Sequence, residues 1–122
     1  MIAKLVGVLD SVQSGACVID VQGVGYLVHC SARTLRALAP TGASLGGNVN
    51  LLIVTKMRED GIRLFGFMQE AERFWFEMLQ NVQGVGSKVA LSLLSSLSPD
   101  EVALAIASGD KAALTRAEGL GA

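Results

Sequence analysis

The segment Gly84-Val85-Gly86-Ser87-Lys88 holds the residue types that seat a phosphate. A tight Gly-x-Gly turn that opens a helix leaves backbone N–H groups unpaired at the positive end of the helix dipole. Glycine also lets a second backbone come close. Lys88, one step past the turn, can bring its ammonium to the same phosphate. The apolar placement fits two crossing helices. Leu79 and Val82 come before, Val85 plugs the turn, and small Ala90 lets the helices approach closely, with Leu93 and Leu94 following. Gly119-Leu120-Gly121 echoes the turn, so an apolar helix ending in Gly-x-Gly occurs twice. A nucleotide site is the competing use of such glycines. It needs a strand before them, whereas an amphipathic helix precedes these, and no Gly-x-x-x-x-Gly-Lys-Ser/Thr loop occurs. The plain alternative is an αα-corner in which glycine serves geometry alone.

The second feature with chemical content is Arg58-Glu59-Asp60-Gly61. Two carboxylates on a stiff hairpin tip can repel phosphates and so penalise the wrong arrangement of DNA strands; the simpler reading is a solvated turn. Catalytic sets are missing. His29 has no recognisable partner, and the Glu59-Asp60 carboxylate pair sits on that exposed turn, so the chain reads as non-catalytic. One His and two Cys do not supply the usual metal ligand sets, and no cofactor is expected. Cys17 and Cys30 read as buried free thiols facing one another across a hairpin, with Ile19 facing Val28 and Val21 facing Tyr26. Trp75 and the phenylalanines read as core.

The elements that would position these groups divide near residue 67. Before it, β-branched runs separated by Gly and Asn predict strands over 2–10, 16–21, 26–30, 48–58 and 62–66. Ser31 caps a short helix over 32–39, stopped by Pro40 and Gly42. Asp60-Gly61 is a tight-turn signal. Five strands with one helix between the third and fourth predict a small Greek-key barrel of the OB type. After residue 67 the period becomes helical, with Phe74, Trp75, Met78, Leu79 and Val82 on one face. A helix follows over 88–94. Ser98-Pro99-Asp100-Glu101 is a capping box opening a helix that runs to Ala107. Gly109 and Asp110 precede a last short helix over 111–117. The expected fold is α+β: a barrel over 1–66, then a helical domain over 67–122 whose second hairpin is incomplete.

With 122 residues and 51% apolar composition, the chain is a folded protein of one domain or two very small ones. No apolar run approaches the ~20 residues needed to span a bilayer, and the first residues do not read as a signal peptide. The two cysteines then point to a reducing, cytoplasmic setting. Net charge is −1, with no bulk positive field. Residues 1–66 carry six Lys/Arg against four Asp/Glu, and residues 67–122 four against seven, so the halves are +2 and −3.

Helix, Gly-x-Gly turn and helix together make the helix-hairpin-helix pattern, a sequence-independent binder of DNA backbone. An OB-like barrel with an acidic Arg58-Glu59-Asp60 hairpin comes first. Leu64-Phe65-Gly66-Phe67, Gly84-Val85-Gly86-Ser87-Lys88-Val89-Ala90 and Gly119-Leu120-Gly121 follow in that order. The whole chain so read resembles the RuvA family, junction-binding subunits of the bacterial branch-migration complex. Met1-Ile2 and Gly23-Val24-Gly25-Tyr26 share the resemblance. It implies structure-selective, non-sequence-specific binding of four-way (Holliday) junction DNA in recombination and repair. The binder would be a homotetrameric plate, or an octamer of two plates. Glu59 and Asp60 would be an acidic pin at the crossover, and the two Gly-x-Gly turns with Lys88 would hold phosphates. The implied partners are the ATP-driven motor RuvB, engaged through a C-terminal domain absent from these 122 residues, and the resolvase RuvC; no membrane is implied. The chain departs from the family at Glu118, where proline is common, and at Ala122, where a basic residue is common. Two other classes stay open: the DNA-holding part of a repair enzyme, and a scaffold that binds no DNA.

Overall fold

The computed structural model describes residues 1–39 and 45–107. Strands β1 (Lys4–Gln13), β2 (Ala16–Val21) and β3 (Val24–His29) lead into helix α1 (Ala32–Leu38). Then come β4 (Asn48–Arg58), β5 (Gly61–Phe67) and helices α2 (Glu70–Leu79), α3 (Ser87–Ser96) and α4 (Pro99–Ala107). The strands close a barrel in the order β1-β2-β3-β5-β4, with β3 and β5 parallel and the other pairs antiparallel. This is the OB-type barrel expected, followed by helices. The expected helix stop at Pro40 and Gly42, and everything from Gly109 onward, lie outside the described residues. Among the described residues no single helix is long and apolar enough to cross a membrane.

Alternation within the strands fills the barrel. Leu9, Ile19, Val28 and Leu51 are fully buried inside it, and Leu35 and Leu38 of α1 pack onto the same core. β1 runs three residues past the expected Asp10 because a bulge between Leu9 and Ser11 lets the strand change register and continue. The capping box at Ser98 forms as read. The Glu101 carboxylate accepts from the Ser98 amide at 2.9 Å, and the Ser98 hydroxyl accepts from the Glu101 amide at 3.2 Å.

Two expectations need correction. In the β2–β3 hairpin Cys17 pairs with Val28, Ile19 with Tyr26 and Val21 with Val24, two residues from the expected register. The turn is the two-residue Gln22-Gly23, both at positive φ, with the Gly23 amide bonded to Asp20 Oδ1 at 2.7 Å. A shift of two leaves every side chain on its face, so Cys17 and Cys30 remain buried neighbours in the barrel core. On α2 the buried row is Glu72, Phe76 and Leu79, at i, i+4 and i+7. Phe74, Met78 and Val82 are exposed. The helix is rotated because Phe76 is drawn between Phe65 and Phe67, at ring separations of 5.1 and 4.9 Å. A carboxylate in the row conceals that stripe from a count of apolar residues.

β5 belongs to both halves. Leu64 faces the barrel core, while Phe65 and Phe67 join Phe76, Leu79, Leu93 and Leu94 in a second core under the helices. Gly66 between them is a packing requirement, since a Cβ there would lie 2.6 Å from Val28 Cγ1.

Candidate nucleic-acid interface

The acidic hairpin is built by pairing β4 with β5. Arg58 pairs with Gly61, which leaves Glu59 and Asp60 alone at the tip, both exposed. Met57 and Ile62, the next pair, are 72% and 61% exposed, so this end of the ladder stands clear of the barrel. The two carboxylates differ. Asp60 Oδ2 accepts from the Arg63 guanidinium at 2.9 Å, whereas Glu59 has no ion-pair partner among the described residues.

The Gly-x-Gly turn follows α2 after a short link, Gln80 to Gln83. The amide of Val85 bonds to the Val82 carbonyl at 3.0 Å, closing a turn in which Gly84 takes φ +86°. Val85 is buried and plugs the turn. Gly86, the N-cap of α3, has an ordinary φ of −94°, and a Cβ there would meet nothing within 4 Å. Neither backbone geometry nor internal packing therefore requires glycine at 86. No side chain caps α3, so its first amides are open to an outside acceptor. The Ser87 side chain is buried and its hydroxyl donates to Gln80 Oε1 at 2.8 Å. Val85 and Ser87 therefore have only backbone to offer, while Lys88 is exposed with no ion-pair partner among the described residues.

The two motifs share one concavity. A cleft of about 580 Å³ lies between the barrel and α3, lined by Arg58 and Arg63 from the hairpin, Ser87 and Lys88 from the helix start, and His29. Among the described residues no carboxylate lines it. His29 stacks at a tilt on Phe65, ring centroids 5.6 Å apart. Burial, and then the nearby Arg63, push its pKa below the ordinary imidazole value, so it is neutral at pH 7.

A polar chain fixes how the helices sit on the barrel. Ser31 caps α1, its Oγ accepting from the Thr34 amide at 3.1 Å. The Thr34 hydroxyl donates to buried Glu72 on α2 at 3.4 Å. The Ala32 amide donates to Ser95 Oγ on α3 at 2.8 Å. Burial raises the Glu72 pKa, opposed by the Thr34 hydrogen bond and by Arg33. Lys56 of β4 adds an ion pair to Glu77 of α2 at 3.0 Å.

Of the residues singled out in the sequence, Glu59 and Asp60 stand at the hairpin tip, and Gly84 to Lys88 form the turn and helix start. Arg58 and Lys88 meet in the cleft. Gly119, Leu120 and Gly121 lie outside the described residues. The sequence reading passed over Arg63 and Glu72. The first was legible as an Asp60-x-x-Arg63 spacing across a turn; the second carried no signal, because nothing local marks a carboxylate for burial.

Residues 1–66 match the family model described as the RuvA N terminal domain, and residues 76–122 match a SAM-like helix-hairpin-helix tandem. The chain is similar to proteins named Holliday junction branch migration complex subunit RuvA. Identity is 57% for that of Methylobacterium sp. (strain 4-46) and 53% for that of Acidiphilium cryptum (strain JF-5). Each alignment runs over 121 residues, covering 99% of this chain and 57% of the relative. The chain thus spans little more than half the length of these curated relatives.

Proposed function

The chain belongs to the RuvA family, and from that membership we propose that it binds four-way DNA junctions by their shape and backbone, holding them open for branch migration. The observation that carries this reading is Gly86. It has ordinary backbone geometry and empty space where a side chain would stand, which suits the close approach of another molecule's backbone. It opens a helix whose first amides are uncapped beside Lys88, as phosphate binding requires. Glu59 and Asp60 act as the acidic pin at the crossover, and Gly119-Leu120-Gly121 is the second phosphate seat. The chain contributes binding and no catalysis. Its partners are a RuvB motor, engaged through a part of the protein beyond these residues, and RuvC. It works in the cytoplasm as a homotetramer or a double tetramer. The exposed row of Phe74, Met78 and Val82 is a surface that self-association would cover.

The test is a titration of this chain against an immobile four-way junction and a linear duplex of the same sequence, over a salt series. Tighter junction binding is expected, weakening steeply with salt as phosphate contacts require. Equal affinity for the two DNAs would overturn the reading.

A further inference from the structure

Arg63 occupies a position of conflict. It stands directly opposite Lys56 across the β4–β5 ladder, where two like charges repel. Each cation is drawn aside by a carboxylate: Lys56 to Glu77 on α2 and Arg63 to Asp60 at the tip. The Arg63–Asp60 pair is open to water, with side chains 45% and 66% exposed, and such a pair is held weakly. The same guanidinium lines the cleft with Arg58 and Lys88, neither of which has an ion-pair partner among the described residues. Three cations therefore border a concavity that no carboxylate lines among the described residues, and one of them is on loan to the pin.

We propose that Arg63 is an exchangeable phosphate ligand: it pairs with Asp60 in the free protein and passes to a DNA backbone phosphodiester lodged in the cleft against α3. A planar guanidinium suits this exchange, because its fork matches carboxylate and phosphate oxygens alike. The transfer also has a consequence at the tip. Glu59 has no ion-pair partner among the described residues, so release of Asp60 doubles the unpaired carboxylate charge of the tip only when a strand occupies the cleft. The pin is then armed by DNA already in place. This rests on the junction-binding reading above and adds to it a ligand and a coupling between cleft and tip.

The experiment compares the chain with Arg63→Met and Arg63→Lys variants on the same junction and duplex, over a salt series, each also in an Asp60→Asn background. Arg63→Met is expected to weaken junction binding by roughly three- to tenfold at low salt and to reduce the salt slope by about one. Both effects should persist in the Asp60→Asn background, because the phosphate contact does not need Asp60. Arg63→Lys should keep the slope while losing part of the affinity. An unchanged slope in Arg63→Met, or an effect that vanishes once Asp60 is neutral, would overturn the proposal and leave Arg63 as a neighbour of the pin only. Those results arise while the unmodified chain still prefers junctions. Loss of that preference in the unmodified chain would instead overturn the functional reading and this inference with it.

Discussion

The hydroxyl of Thr34 donates to the carboxylate of Glu72 across 3.4 Å, joining the helix on the barrel to the first helix of the α half. Burial raises the Glu72 pKa above its ordinary 4.5, so the folded chain holds that proton more tightly than the unfolded chain does. Its contribution is fully present below pH 4.5 and is lost as pH rises through the folded value. Glu72→Gln keeps an acceptor for Thr34 and carries no charge. It should flatten stability against pH on the alkaline side of 4.5 and leave Tm at pH 7 equal or higher. Glu72→Ala, which strips Thr34 of its buried acceptor, should cost about 1–3 kcal/mol. Chemical denaturation from pH 4 to pH 8 checks both.

Gly84 and Gly86 should respond oppositely to substitution. Gly84 at φ +86° is fixed by backbone geometry, and Gly84→Ala should destabilise by about 1 kcal/mol or more. Gly86 has extended backbone and open space. There a serine can cap α3 by accepting from one of its first amides, so Gly86→Ser should hold or slightly raise Tm. It should nevertheless weaken junction binding by roughly tenfold, because the hydroxyl takes the amides a phosphate would use. Thermal melts alongside DNA titrations separate the two outcomes, and unchanged affinity would remove the phosphate seat.

The barrel was legible because its strands are β-branched runs broken by Gly and Asn and its turns carry their own chemistry. Asn48–Arg58 and Ala16–Val21 fall where the sequence places them. The rotation of α2 was not legible. Phe74, Met78 and Val82 make an apolar row as regular as the buried one, and only the aromatic pair Phe65 and Phe67, from another element, decides which row goes inside. The candidate site divides in the same way. Glu59, Asp60 and Gly84 to Lys88 were visible as local spacings. That Arg58 beside the tip and Lys88 beside the turn meet in one cleft depends on α1 bridging to α2 and α3, a long-range matter no local pattern encodes.

Neutralising the tip (Glu59→Gln with Asp60→Asn) should raise affinity for linear duplex more than for junctions. Like charges ~6 Å apart repel by roughly 3 kcal/mol at an effective dielectric of about 20, before salt screening. Such energy opposes binding and serves only to discriminate. Competition between junction and duplex is the measurement. A double variant that keeps its full junction preference would return the tip to a solvated turn.

Cys17 and Cys30 should resist thiol reagents in the native chain, since both are buried. The hydrogen bond with Cys17, and then burial, push the Cys30 thiol far up, while the same hydrogen bond lowers Cys17 against the effect of its burial. Labelling should therefore follow barrel opening and show no dependence on reagent concentration at high excess. Rapid labelling of either thiol at neutral pH would contradict this.

The exposed row on α2 should govern assembly. Phe74→Asp is expected to shift the chain towards monomer in light scattering with little change in Tm, because Phe74 is 51% exposed and touches Trp75 edge-on at 5.1 Å. An unchanged mass would place self-association elsewhere.

β5 starts at the acidic tip and ends, seven residues later, beneath Phe76 in the helical core. A pull applied to the tip along this strand is therefore shared by β4 and β5, which the tip joins, and passes in shear to their outer partners β1 and β3. The far end of the strand lies in the same core as Val85, so the tip and the turn at Gly84 to Lys88 rest on one common support. If the proposed junction-binding role holds, that common support is what keeps the spacing of the two phosphate-facing places when a bound strand is pulled.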